Sequence, residues 1–175
     1  KNIPMYSEIE MTSWFIDAPI IAVTGSNGKT TTVNLIHHLL LTAGYDSFLG
    51  GNVGVAASEV LMDRLENEPS KPIFVLEVSS FQLDNIDTFK PQVAVILNLT
   101  PDHLDRYPSL AAYYESKLGL LKNLDDSCIA VINRDDPELA RHDINNDPIR
   151  FFSMSDPTGG DVMLAEGVIG IMKDG

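Results

Sequence analysis

The stretch that most restricts how this chain can fold is PIIAVTGSNGKTTT, residues 19–32. An apolar run rich in Ile and Val stops at Gly25 and Gly28, and a lysine and three threonines follow. The run reads as a strand buried on both faces. After Val23 the chain must turn sharply, which Gly25 and Gly28 permit, and a helix begins near Lys29. The amides at that helix N-terminus make an anion site; Lys29 can reach the β- and γ-phosphates of a nucleotide, and the Thr30 hydroxyl is placed for Mg²⁺. The usual phosphate loop is G-x-x-x-x-G-K-[ST]. Here Val23 stands where the first glycine belongs, and Gly25 opens a shorter loop.

Three further runs share the same character: IFVLEVS (73–79), VAVILNLT (93–100) and CIAVIN (128–133). Helical patterns are expected over Lys29–Ala43, Val55–Glu68 and Leu110–Leu124. Alternating strands and helices predict an α/β fold, a doubly wound and mostly parallel sheet carrying a P-loop. Near the end, RFFSM and DVMLAEGVIGIMKDG read as antiparallel strands, a small β appendage. Each of the four runs ends beside a group able to bind or react: Thr24 and the glycine loop, Glu77 with Ser79 and Ser80, Asn98 with Thr100, and Asn133. In open α/β sheets ligands bind outside the carboxyl ends of the strands.

The 175 residues suffice for one well-buried domain and not for two ordinary ones. A formal charge of −13 argues against nucleic acid or an anionic membrane surface as the main partner. No apolar stretch is long enough to span a membrane. The single cysteine, Cys128, lies in an apolar run and is expected to be a buried thiol in a cytosolic protein. The start at Lys1 and the turn-like KDG at the end read as cuts in a longer protein.

Glu77 interrupts the apolar FVLEVSS. An unpaired buried carboxylate is unfavourable, so Glu77 is either a metal ligand or a paired or neutralised structural glutamate. His103, in NLTPDHLDRYPS, directly follows the third run and is a surface histidine or a metal ligand. His37 and His38, among leucines of the first helix, read as structural. On a helical wheel with Leu110 at zero, Lys117 falls at about 340°, inside the apolar stripe of Tyr114, Leu121 and Leu124. It either snorkels outward or is partly buried with a lowered pKa, and a neutral amine can take up CO₂ as a carbamate. LGGNVG (49–54) is a glycine turn with Asn52 at its tip, a plain loop or a substrate loop.

Taken together, TGSNGKTTT, GGNVG, LEVSSFQL, NLTPDHLDRYPS, YYESKLGLL and VINRDD resemble, in order and spacing, the ATP-dependent Mur ligase family over nearly the whole chain. SSFQL with DHLDRY is most similar to the member that joins D-glutamate to UDP-N-acetylmuramoyl-L-alanine. The resemblance implies a cytoplasmic step of peptidoglycan synthesis in which ATP phosphorylates the L-alanyl carboxylate and the D-glutamate amine attacks the acyl phosphate. It makes Gly25, Ser26, Asn27, Gly28, Lys29, Thr30 and Thr31 the ATP phosphate loop. It implies two Mg²⁺ ions, with Thr30 on the first, Glu77 between them, and His103 and a carbamylated Lys117 completing the site. Asn52, and more weakly Ser79, match residues that contact the muramoyl-alanine substrate. The family also has an N-terminal UDP-binding domain and a C-terminal domain that holds the incoming amino acid. Residues 1–17 are accordingly expected to be a connector and 18–175 the central domain, truncated at its C-terminal end and without turnover alone. Rival readings are another Mur ligase or folylpolyglutamate synthase, against which SSFQL speaks, and a P-loop GTPase, whose N-K-x-D motif the sequence lacks.

Overall fold

A computed structural model describes residues 3–67, 69–102, 105–142, 144, 149–155, 162–165 and 168–171. In chain order its main elements are α1 (Glu8–Ser13), β1 (Ile20–Thr24), α2 (Lys29–Thr42), β2 (Asp46–Gly51), α3 (Ala57–Asn67), β3 (Pro72–Glu77), α4 (Ser80–Leu83), β4 (Val93–Ile96), α5 (Leu110–Leu118), β5 (Ile129–Asn133), β6 (Ile149–Ser153), β7 (Val162–Ala165) and β8 (Val168–Ile171). The four apolar runs become β1, β3, β4 and β5. Their interior positions are almost all buried, because helices cover both faces of a sheet joined by crossovers.

The strands lie in the order β2-β3-β1-β4-β5-β6-β7-β8. The first six run parallel. Their register brings carboxyl ends level: Gly51 pairs with Glu77, Glu77 with Val23, and Val23 with Val95. From β1 the chain crosses towards β2, whereas from β4 it crosses the other way to β5. The crevice between the exits of β1 and β4 is therefore the switch point of the fold.

Sequence and structure differ near the C-terminus. RFFSM is not antiparallel: as β6 it pairs in parallel with β5, from Ala130–Ile149 to Asn133–Phe152. β7 adds to β6 in parallel, and β8 alone turns back against β7. A short strand that follows a helical connection has no local signal for direction; the crossover decides it.

β2, α1 and α4 were not expected. The strand DSFLGG has Asp, Ser and two glycines, poor strand formers, and is held by its neighbours. At Gly51 (φ 118°) a Cβ would lie 2.2 Å from the Glu77 carbonyl oxygen, so only glycine lets the two strands meet there. α4 is set by a capping box, with Ser79 Oγ accepting from the Gln82 amide and Gln82 Oε1 accepting from the Ser79 amide at 3.0 Å. The expected helix over Leu110–Leu124 ends at Leu118 and tightens into a 3₁₀ turn over Gly119–Leu121.

α1 lies within the stretch expected to be a connector, and it is firmly attached. Glu10 is fully buried; its carboxylate accepts from the amides of Asp87, Thr88 and Phe89, the Thr88 hydroxyl and the Trp14 indole. Glu8 reaches the first turn of α3, accepting from the Ser58 amide at 2.6 Å. The larger core cluster joins α1, α3, α4 and α5 to one face of the sheet. The smaller one, around Val23, Val33, Val75 and Val95, lies under α2 on the other face.

Candidate functional site

The glycine loop leaves β1 at Thr24 and enters α2 at Lys29. Gly28 is the N-cap residue, with φ 83° and no side-chain cap. The first helical amides thus have no partner from within the helix and face the crevice at the positive end of its dipole. Lys29 Nζ folds back on the loop, donating to the carbonyls of Gly25 (2.8 Å) and Ser26 (3.2 Å).

Glu77, at the end of β3, is 2% exposed. The Thr30 hydroxyl donates to its Oε2 at 2.7 Å and the Asn52 carboxamide to its Oε1 at 3.1 Å. The Asn52 amide also donates to the Glu77 carbonyl at 2.8 Å. Three residues proposed from separate segments thus form one hydrogen-bonded chain, and it is what makes burial of the Glu77 carboxylate tolerable.

Lys117 is 2% exposed, which excludes snorkelling. Its ammonium donates to the Gly25 carbonyl at 2.9 Å and lies 4.8 Å from the centre of the Tyr113 ring. Its partner is a backbone carbonyl rather than a carboxylate; Glu77 is engaged by Thr30 and Asn52. Burial, and then the nearby Lys29 charge, lower the Lys117 pKa to about 8. Lys29 and Lys117 therefore share one carbonyl oxygen. Tyr113 is fully buried, its hydroxyl 3.2 Å from Ser26 Oγ, and burial raises its pKa.

His103 lies outside the described residues. The Ser79 hydroxyl is committed to the α4 cap, accepting from the Gln82 amide and donating to Gln82 Oε1 at 2.9 Å. His37 donates to or accepts from Ser47 Oγ at 2.8 Å, between α2 and β2 and away from the crevice. Sequence reasoning missed Tyr113 and Asp136. Tyr113 neighbours Tyr114 in the apolar stripe. Asp136, 6% exposed, reaches back from beyond β5 to accept from the Leu99 amide at 2.9 Å. Its signal was the acidic pair in VINRDD, immediately after a buried strand.

The residues present suit a nucleotide phosphate with Mg²⁺. Mg²⁺ takes hard oxygen donors, commonly one or two carboxylates completed by water and phosphate oxygens, and Thr30 and Glu77 offer a hydroxyl and a carboxylate side by side. Among the described residues no group of three or more His, Cys, Asp or Glu side chains forms a cage of its own.

The model of the Mur ligase middle domain matches residues 23–168. The chain is 47% identical over 144 residues to the UDP-N-acetylmuramoylalanine–D-glutamate ligase of Salinibacter ruber, covering 79% of this chain and 30% of that protein. To the ligase of the same name from Christiangramia forsetii it is 42% identical over 151 residues, covering 86% and 33%. The chain thus spans about a third of the length of the curated relatives it matches. Among solved structures, a MurF ligase from Thermotoga maritima in complex with ADP superposes with a TM-score of 0.68 at 25% identity, over 90% of this chain and 37% of that one. A UDP-N-acetylmuramoyl-L-alanyl-D-glutamate–2,6-diaminopimelate ligase gives 0.67 at 27%, over 90% and 36%. Matched by that model over residues 23–168 and 42–47% identical to these relatives, the chain belongs to the Mur ligase family, as a middle domain.

Proposed function

We propose that this chain is the ATP-binding core of a cytoplasmic ligase that joins D-glutamate to UDP-N-acetylmuramoyl-L-alanine. The observation that carries the reading is the meeting of Lys29 and Lys117 on the Gly25 carbonyl, beside the Thr30–Glu77–Asn52 chain. The Lys29 ammonium at a helix N-terminus gathers positive charge where phosphates bind, and Lys117 stands beside it as the amine that would carry the carbamate. The names of the relatives support the choice of substrates. Among the described residues no helix is long and apolar enough to cross a membrane.

In this reading a carboxylate oxygen of the L-alanyl group takes the γ-phosphoryl of ATP, and the bond to the departing ADP breaks. The D-glutamate amine then attacks the acyl carbon; a C–N bond forms, phosphate leaves and the amine loses a proton. Lys29 holds phosphate oxygens. Thr30 and Glu77 are the oxygen donors for Mg²⁺, with His103 as ligand to a second ion. Asn52 orients the muramoyl-alanine carboxylate, and Ser79 supports the same wall through its cap. Lys117 would serve as a carbamate: a pKa of about 8 leaves part of the amine neutral near physiological pH, which addition to CO₂ requires. The energetic task is charge neutralisation, bringing a carboxylate up to a polyanion.

The test is thermal stabilisation by Mg²⁺–ADP. Stabilisation of the wild-type chain that disappears in Lys29→Ala supports the phosphate-site assignment; equal stabilisation of both proteins overturns it.

A further inference from the structure

Where the chain leaves β4, Leu97, Asn98 and Thr100 are bonded to the end of β1 and to the glycine loop that follows it. The Leu97 amide donates to the Thr24 carbonyl and the Ser26 amide to the Asn98 carbonyl, both at 3.0 Å. Ser26 Oγ accepts from the Thr100 amide (3.0 Å) and donates to the Thr100 carbonyl (2.8 Å). The Asn27 carboxamide donates to Thr100 Oγ1 at 3.1 Å.

The Asn98 side chain occupies the centre of this seam. Its Oδ1 accepts from the Asn27 amide at 2.8 Å, and its Nδ2 donates to the Asn27 carbonyl at 3.0 Å. One carboxamide thereby satisfies both backbone groups of one loop residue, as a hydrogen-bonded neighbour does in an antiparallel ladder. The far side of the segment is anchored as well. Asn133 Nδ2 donates to the Leu97 carbonyl at 2.9 Å, and the buried Asp136 receives the Leu99 amide.

A short loop with two glycines has wide conformational freedom, and ordering its residues costs conformational entropy. If the anion had to order the loop, that cost would be subtracted from its binding; a loop already held avoids it. We propose that Asn98 is a positioning residue that holds Asn27, and with it the Gly25–Gly28 turn, in its anion-binding shape before any nucleotide arrives. The ligand half of this inference rests on the phosphate-site reading above, whereas the half concerning the ligand-free loop does not.

Amide hydrogen exchange on the ligand-free chain, followed by titration with Mg²⁺–ADP, tests both halves. In the wild type the Asn27 amide should exchange nearly as slowly as that of Val23. Asn98→Ala should speed Asn27 by about tenfold or more while leaving Ala22 and Val23 unchanged, and should weaken Mg²⁺–ADP by about tenfold, the scale of a lost hydrogen-bonded pair. Glu10→Gln disturbs the bonds to residues 87–89 without touching Asn27, and it should lower the melting temperature while keeping wild-type nucleotide affinity. Unchanged Asn27 exchange in Asn98→Ala, uniform acceleration across β1, or unchanged affinity would each overturn the positioning role. If Asn98→Ala does not fold, the wild type decides, and Asn27 exchanging at the rate of a free loop sinks the proposal. A wild type that binds no Mg²⁺–ADP defeats the phosphate-site reading, while the exchange data still decide the role of Asn98 in the free loop.

Discussion

The Gly25 carbonyl accepts from Lys29 at 2.8 Å and from Lys117 at 2.9 Å, an arrangement in which the Lys29 charge adds to burial in disfavouring the charged form of Lys117. Its effect on stability has a definite sign. The folded state lowers the Lys117 pKa from 10.5 to about 8, so between those values the unfolded chain binds more protons than the folded one. Stability should therefore rise with pH from about 8 to about 10.5 by this group's contribution, and Lys117→Met should flatten that rise in urea-unfolding curves. Glu10 behaves oppositely. Burial pushes its pKa up, but the Thr88, Asp87 and Trp14 hydrogen bonds outweigh this and hold it at about 2, against 4.5 for a free glutamate. Its contribution is present above pH 4.5 and is lost as pH falls towards 2. Glu10→Gln presents an amide to donors already aimed at a carboxylate, and should cost about 2–4 kcal/mol in urea unfolding at neutral pH. Lys117 was legible because its wheel position conflicts with its charge. Its partner was not, because a backbone carbonyl has no sequence signature. Glu10 gave no warning: a glutamate in an exposed-looking segment acquires meaning only when residues 87–89 fold against it.

At the scale of elements, legibility followed length and apolarity. The four Val/Ile-rich runs were readable because burial on both faces leaves a continuous pattern, and α2 because the glycine loop announces its start. β2 was hidden because its glycines serve packing rather than propensity. Gly51→Ala would place a methyl 2.2 Å from the Glu77 carbonyl oxygen at a backbone angle L-residues avoid. It should destabilise the chain by more than about 3 kcal/mol, measured by urea unfolding, and should displace Asn52, its neighbour in sequence. α4 escaped notice because a single turn is too short for periodicity, although the Ser79–Gln82 capping box was visible as S-x-x-Q.

Among the described residues, the two faces of the sheet are covered unequally. α1, α3, α4 and α5 pack on one face, whereas the described core of the other is closed by α2. Val93, Leu97 and Val131 are only half-buried there, Ile129 is 40% exposed, and Leu35 and Leu39 stand on the outer side of α2. Such a face favours self-association. Sedimentation velocity at rising concentration should show dimers or larger species in the wild type, and Ile129→Lys should reduce them.

α1 also has a mechanical meaning. Glu8 grips the first turn of α3, just beyond the Asn52 loop, and Glu10 grips residues 87–89, just beyond α4. Tension on the chain ahead of Ser7 would therefore divide between both flanks of the Glu77 crevice rather than peel one helix away. The hydrogen bonds of Glu10 would bear that load together, so the helix should detach under force in a single event, and at a lower force once Glu10 is replaced by Gln.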